Sequence, residues 1–168
     1  MSVAILMGSK SDLEIVRNAF DVLDEFKVPF VSRILSAHRT PAEAAEFADN
    51  AEKNGIKVII CAAGMAAHLG GVVAGHTTLP VIGIPMVSEP FKAADSLLSV
   101  VQMPPGIPVA AVTAGKAGAK NAALYAISIL ATSDAELAAK LKDFRAKQKK
   151  QVLDADAELQ KELSERYQ

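Results

Sequence analysis

The chain has 168 residues, the span of one domain and enough to bury a hydrophobic core. Just over half of them are apolar (51%), with no Trp, two Tyr and six Phe, a composition that suits a compact α/β protein. The formal net charge of −1 leaves no overall positive field to hold a phosphate polymer or an anionic membrane, so neither nucleic acid nor membrane is an expected partner.

The first apolar run, Val3 to Met7, reads as a buried strand and ends in Gly8-Ser9-Lys10-Ser11-Asp12. A helix follows, with Leu13, Val16, Phe20 and Leu23 at spacings of three and four and Asp12 placed to cap it. Backbone N–H groups and the helix dipole favour a phosphate at such a turn, although capping and turn formation account for the same residue types equally well. Neither G-x-x-x-x-G-K-[ST] nor G-x-G-x-x-G is present, so a P-loop and a dinucleotide site are not expected.

The second strand, Pro29 to Leu35, runs into Ser36-Ala37-His38-Arg39-Thr40-Pro41. Here an imidazole that can change charge near neutral pH stands beside a guanidinium that can grip a phosphate with paired hydrogen bonds. A plain surface histidine is the competing reading. Pro41 suits the first turn of a helix over Ala42 to Ala51, and Gly55 its stop.

Cys61, the lone cysteine, lies in the third strand, Lys57 to Ala62, and reads as a small hydrophobe; one thiol excludes an internal disulfide. No run approaches the roughly 20 apolar residues that cross a bilayer. The first residues enter a strand with no basic leader, so a cytoplasmic protein is expected.

The third strand continues into Ala63-Gly64-Met65-Ala66-Ala67-His68-Leu69-Gly70-Gly71, small residues that would let backbone amides approach a planar ligand. His68 and His76 lack a third ligand at metal spacing, so no zinc site is expected. No Ser-His-Asp or Cys-His signature points to a covalent hydrolase. A fourth strand spans Pro80 to Ile84. The rigid loop Gln102 to Pro108, which walls a dry pocket or simply turns the chain, precedes a fifth strand from Pro108 to Val112.

Strands alternating with helices imply βαβ units, a parallel sheet and a three-layer, doubly wound, flavodoxin-like α/β sandwich. After a helix from about Ala117 to Leu130, Ser133 offers an N-cap with Glu136 three residues on. Asp134 to Tyr167 holds no Gly or Pro and carries Leu137, Leu141, Phe144, Gln148, Val152, Leu159 and Leu163 on roughly one stripe. It reads as one long helix or two broken near Asp154. At about 1.5 Å per residue it would reach on the order of 50 Å, longer than such a domain is wide. The expected organisation is therefore a single catalytic domain over 1–168, with a core at 1–132 and a helical extension at 133–168. Part of its stripe is expected against another subunit; solvation beyond Lys150 is the alternative.

The ordered set MGSKSD at 7–12, SAHRTP at 36–41, AAHL at 66–69, DSLLSVVQMPPGIPVAAV at 95–112 and GKAGAKNAAL at 115–124 closely resembles the N5-carboxyaminoimidazole ribonucleotide mutase family. The resemblance implies a flavodoxin-like fold, a homo-octamer with sites at subunit junctions, and a purine-biosynthesis reaction without metal, ATP or biotin. It implies that Ser9, Asp12 and Arg39 bind the ribose phosphate, with Ser11 and Ser36 adding hydrogen bonds; Gly8 and Lys10 of the same turn are candidates to hold that phosphate from their residue types. Gly64, Ala66 and Leu69 are candidates to line the flat ring. His38 matches the family's proton-transfer histidine, and His68 the second histidine, which reaches an adjoining site. A separate ATP-using synthetase is the implied source of the substrate.

The matched loop normally continues with Pro-Gly, where this chain has Gly70-Gly71. A related family that carboxylates the same imidazole directly with carbon dioxide has Lys at the Arg39 position and Ser-Asn in place of Ala67-His68. This chain follows the mutase at both, whereas Ser88-Glu89-Pro90-Phe91 is less typical of mutases. Direct carboxylation is the runner-up, and a non-catalytic nucleotide-binding module stands third.

Overall fold

A computed structural model describes residues 2–167. Five parallel strands form one sheet in the order β2-β1-β3-β4-β5: β1 Val3–Met7, β2 Phe30–Ile34, β3 Val58–Ala63, β4 Val81–Pro85 and β5 Ala110–Ala111. That order, reversing at β1 and β3, is the flavodoxin-like doubly wound topology. Every residue of β1, β3 and β4 is buried, as near-continuous apolar strands covered on both faces should be. β2 forms one edge and tolerates Ser32 and Arg33; β5 forms the other and is cut to two residues.

Alternate side chains serve opposite faces. Ala4 and Leu6 of β1 with Ile59, Cys61 and Ala63 of β3 join one core with Ala44 and Ala48 of α2 (Pro41–Asn50) and Leu69 and Val73 of α3 (Leu69–Gly75). On the other face α1 (Leu13–Glu25) lies along α5 (Gly115–Leu130), which covers β3 and β4. A further helix, α4 (Ala94–Val101), leans on β4 and β5. The register sets Val3 beside both Phe30 and Val58, so β1, β2 and β3 end together and release their loops at one edge.

Local chemistry explains the boundaries. Pro41 opens α2. Gly55, at φ +78°, closes its extension: Ile56 N–H donates to the Ala51 carbonyl at 3.0 Å and Gly55 N–H to that of Glu52 at 2.9 Å, a Schellman arrangement. Asp12 does not cap α1 through its side chain; a single 3-10 turn, Lys10–Asp12, intervenes, and Ser9 Oγ accepts the Ser11 N–H.

Two compact units make up the chain, Met1–Leu130 and Ala131–Gln168. The second is built on α6, one unbroken helix over Ala135–Arg166. Its cap is Asp134 rather than Ser133: Asp134 Oδ1 accepts the Leu137 N–H at 2.9 Å, which shifts the start by one residue and turns Glu136 to Lys140 at 2.8 Å. The helix does not break at Asp154, where Lys150 Nζ reaches Asp154 Oδ2 at 2.6 Å across one turn. Among the described residues no helix is long and apolar enough to cross a membrane.

Candidate active site

The carboxyl ends of β1, β2, β3 and β4 surround a cleft of about 490 Å³. Ligands of doubly wound sheets bind at this edge, where the strand order reverses. Gly8, Ser9, Ser11 and Asp12 line it from β1, Ser36, His38 and Arg39 from β2, and Gly64 and Leu69 from the region after β3.

The loops are held by their own hydrogen bonds. Gly8 N–H donates to the Ala62 carbonyl at 3.0 Å, tying the first turn to β3. Thr40 Oγ1 accepts the Ser36 N–H at 2.8 Å and its hydroxyl donates to the Ser36 carbonyl at 3.1 Å, which closes the loop around His38. Ser36 Oγ accepts the Arg39 N–H at 3.2 Å. From that base the guanidinium spans to the first turn, where Arg39 Nη2 donates to the Gly8 carbonyl at 2.6 Å. A cation is thus set beside two hydroxyls, Ser9 and Ser11, themselves 2.9 Å apart.

Asp12 lines the cleft beside these groups. Partial burial raises its carboxyl above the ordinary carboxylate value, while a Ser9 backbone hydrogen bond, the Ser11 hydroxyl and the Arg39 charge pull it back down. A raised folded value means that the folded chain holds this proton more tightly than the unfolded chain. Its stability contribution is therefore full below the unfolded value and lost as pH rises through the folded one. Asp12→Asn removes that loss, so the variant is expected to melt above wild type at pH 7, with the gap closing toward pH 3. Melting curves at both pH values check this, and a gap independent of pH contradicts it.

Three of the expected residues lie apart from the cleft lining. Lys10 and Ala66 are exposed on their loops and do not line it. His68 instead turns onto α4, its Nδ1–H donating to the Ser99 carbonyl at 2.8 Å. The acceptor carbonyl fixes the proton on Nδ1. Gly70 and Gly71 also depart from the expected ligand-facing loop, because α3 begins at Leu69 and takes both into its first turn. Gly71 has a different use: a Cβ there would fall inside the His68 ring.

Gly71→Ala must therefore expel the imidazole or move the helix. The overpacking is expected to cost about 1–3 kcal/mol, against the roughly 0.8–1.0 kcal/mol that alanine gains over glycine in a helix, which leaves a net loss of about 0–2 kcal/mol. Gly75→Ala, whose Cβ would enter open space, is the clash-free control in urea unfolding and is expected to match or exceed wild type.

Ala63, Met65 and Ala67, from the small-residue loop read as approaching a planar ligand, also line the cleft, as do Ala37, Met86, Val87 and Ser88, which were not singled out from the sequence as ligand contacts. Ser88 Oγ accepts the Met65 N–H at 3.3 Å, linking the ends of β4 and β3. The available signal was positional: β4 adjoins β3, so its carboxyl end belongs to the same rim. A larger hollow, about 780 Å³, has Asp49, Glu52 and His76 among its lining and no Lys or Arg; its histidine faces Asp49 at 3.2 Å. Its acidic lining disfavours a phosphate, and a third hollow, about 420 Å³, sets Arg33 and Lys53 against Glu43 and Glu46, whereas the Arg39 cleft adds hydroxyls and open loop backbone to its cation. Cys61 is fully buried, and burial pushes its thiol up to about 12, as a packing residue requires.

Comparison with known proteins identifies the family and the fold. The AIR carboxylase family model matches residues 2–151. The N5-carboxyaminoimidazole ribonucleotide mutase of Bacillus subtilis (strain 168) is 52% identical over 157 residues, covering 94% of this chain and 97% of that protein. The mutase of Escherichia coli (strain K12) is 50% identical over 152 residues, covering 90% of each. A crystal structure of Treponema denticola PurE matches with a TM-score of 0.85 at 32% identity, covering 94% of this chain and 97% of that one. A sheet order, a cation-bearing cleft and near-complete matches therefore converge, and this chain belongs to the AIR carboxylase family.

Proposed function

We propose that this chain is an isomerase of purine biosynthesis that converts N5-carboxyaminoimidazole ribonucleotide to 4-carboxy-5-aminoimidazole ribonucleotide. The observation that carries this reading is the convergence of His38, Arg39 and the Gly8–Asp12 turn on one cleft, with Arg39 Nη2 2.6 Å from the Gly8 carbonyl.

The reaction moves a carboxylate from the exocyclic nitrogen to ring carbon 4 with no change in composition. The cleft desolvates the carbamate, which releases carbon dioxide as the nitrogen takes a proton. The aminoimidazole is then an enamine, nucleophilic at carbon 4. Carbon dioxide kept in the cleft adds there with the advantage of an intramolecular step, and the carbon 4 proton leaves. One group gives the first proton and takes the second, so none is consumed overall; His38 is that group. Arg39, Ser9, Ser11 and Ser36 hold the phosphate end, Asp12 accepts from ribose hydroxyls, and Gly64 and Leu69 flank the ring, using remote contacts to fix the reacting atoms.

The chain works in the cytoplasm as a homo-octamer, supplied by an ATP-dependent synthetase that makes the carbamate. Leu97, Leu98 and Val101 on α4, with nearby Phe91, stand exposed and supply an apolar face for self-association. His68, seated on the same helix, is presented to an adjoining site in that assembly.

Mixing purified protein with the N-carboxylated nucleotide tests the reading. Formation of the C-carboxylated product supports it. Turnover only of aminoimidazole ribonucleotide with carbon dioxide points to direct carboxylation, and binding without turnover to a nucleotide-binding module.

A further inference from the structure

We propose that the distal part of α6 is a self-recognition element, which pairs antiparallel with the same helix of a second copy about a two-fold axis near Val152. The inference does not depend on the catalytic reading.

From Arg145 to Tyr167 every residue is exposed, on all sides of the helix. Lone helical segments in water are marginally stable, and most helices in proteins draw their stability from a packed apolar face. Such a face exists here and is bare: Val152 is 69% exposed, Leu159 49% and Leu163 37%. Leu141, Phe144, Gln148, Val152, Ala155, Leu159 and Leu163 follow one another at spacings of 3, 4, 4, 3, 4 and 4, an 11-residue repeat that keeps one stripe in line along the helix.

Charge names the occupant. Residues 140–150 hold six bases, Lys140, Lys142, Arg145, Lys147, Lys149 and Lys150, against one acid, Asp143. Residues 154–165 reverse this, with Asp154, Asp156, Glu158, Glu162 and Glu165 against Lys161 alone. The helix ends already suit the dipole, with Glu136 in the first turn and Arg166 in the last, so the basic and acidic halves lie in the interior, where the dipole does not account for them. The two intrahelical pairs in the distal part, Lys150–Asp154 and Lys161–Glu165, run base before acid, the weaker order. Lys142, Arg145, Lys147 and Lys149 make no ion pair among the described residues. A parallel copy would set base on base and acid on acid. An antiparallel copy sets each basic half along an acidic half, twice by symmetry, and brings Leu141 opposite Leu163 while Val152 meets its own equivalent. The acidic half lies beyond residue 151, where the match to the family model ends.

Position-specific disulfides test the geometry in the full-length protein. Cys61 is buried and unreactive, so an introduced thiol reports alone. Packed helices approach to about 8–10 Å between axes, which brings facing positions within the roughly 4.4–6.8 Å between Cα atoms that a disulfide spans. Val152→Cys is expected to form a covalent dimer on mild oxidation. Leu141→Cys and Leu163→Cys should each do so at least tenfold more slowly alone, yet join readily to one another when mixed. No dimer from Val152→Cys, or equal self-linking at all three positions, as a parallel pair gives, would overturn the proposal.

A second arm isolates charge, reading the linking rate of Val152→Cys. An acidic copy (Lys142→Glu, Lys147→Glu, Lys149→Glu) and a basic copy (Asp154→Lys, Asp156→Lys, Glu158→Lys) should each lose at least tenfold alone and recover when mixed. Recovery excludes misfolding as the cause of the loss. Unchanged rates alone, or no recovery on mixing, reject the charge-directed pairing.

Discussion

Replacing His38 by Asn is expected to leave nucleotide binding within a few fold of wild type while turnover falls by about 10² to 10⁴, the worth of positioned acid–base catalysis. The imidazole lines the cleft on a loop closed by Thr40 and Ser36, so its backbone position does not depend on its own side chain. Asn keeps hydrogen-bonding capacity but cannot exchange a proton near neutral pH. Steady-state rates with the N-carboxylated nucleotide, alongside binding by calorimetry, separate the two effects. Turnover near wild type removes His38 from the chemistry, and lost binding recasts it as a contact residue.

Arg39→Ala is expected to act in the opposite sense, raising the substrate concentration needed for half-maximal rate with a smaller change in turnover. A hydrogen bond to a charged group contributes about 1.5–3 kcal/mol, so the expected loss is about 10- to 150-fold in affinity. Arg39 also fastens the second loop to the first through the Gly8 carbonyl, so part of the loss will reflect a looser cleft. Arg39→Lys separates the parts: it keeps the charge but cannot form the fork that meets phosphate and carbonyl together. An unchanged half-saturation in Arg39→Ala contradicts a phosphate role.

Much of the fold was legible because buried parallel strands are written as continuous apolar runs. Val3–Met7 stands as read, and the runs at β3 and β4 match to within a residue at each end. The edges were harder: β5 keeps only Ala110–Ala111 of the five residues expected, since an edge strand has one neighbour to hold its ends. α3 was hidden because Leu69-Gly70-Gly71 is glycine-rich and helix propensity argues against it; packing of Leu69 and Val73 into the core overrides that preference. The Asp134 cap was missed because two adjacent residues could both serve, and only coordinates show which oxygen meets the Leu137 N–H. The first two loops of the cleft were legible as unusual residues after strands. Met86, Val87 and Ser88 were not, because ordinary side chains join a rim through strand order, and periodicity does not carry strand order.

The buried cysteine in β3 has a practical consequence. Its sulfur sits at the centre of the sheet, between Leu6 on β1 and Gly83 on β4, and is sealed by the helical layer above. A thiol-specific dye can reach it only when the middle of the molecule comes apart. The labelling rate of the native protein is therefore a built-in stopwatch for whole-domain opening, readable in plain buffer without denaturant.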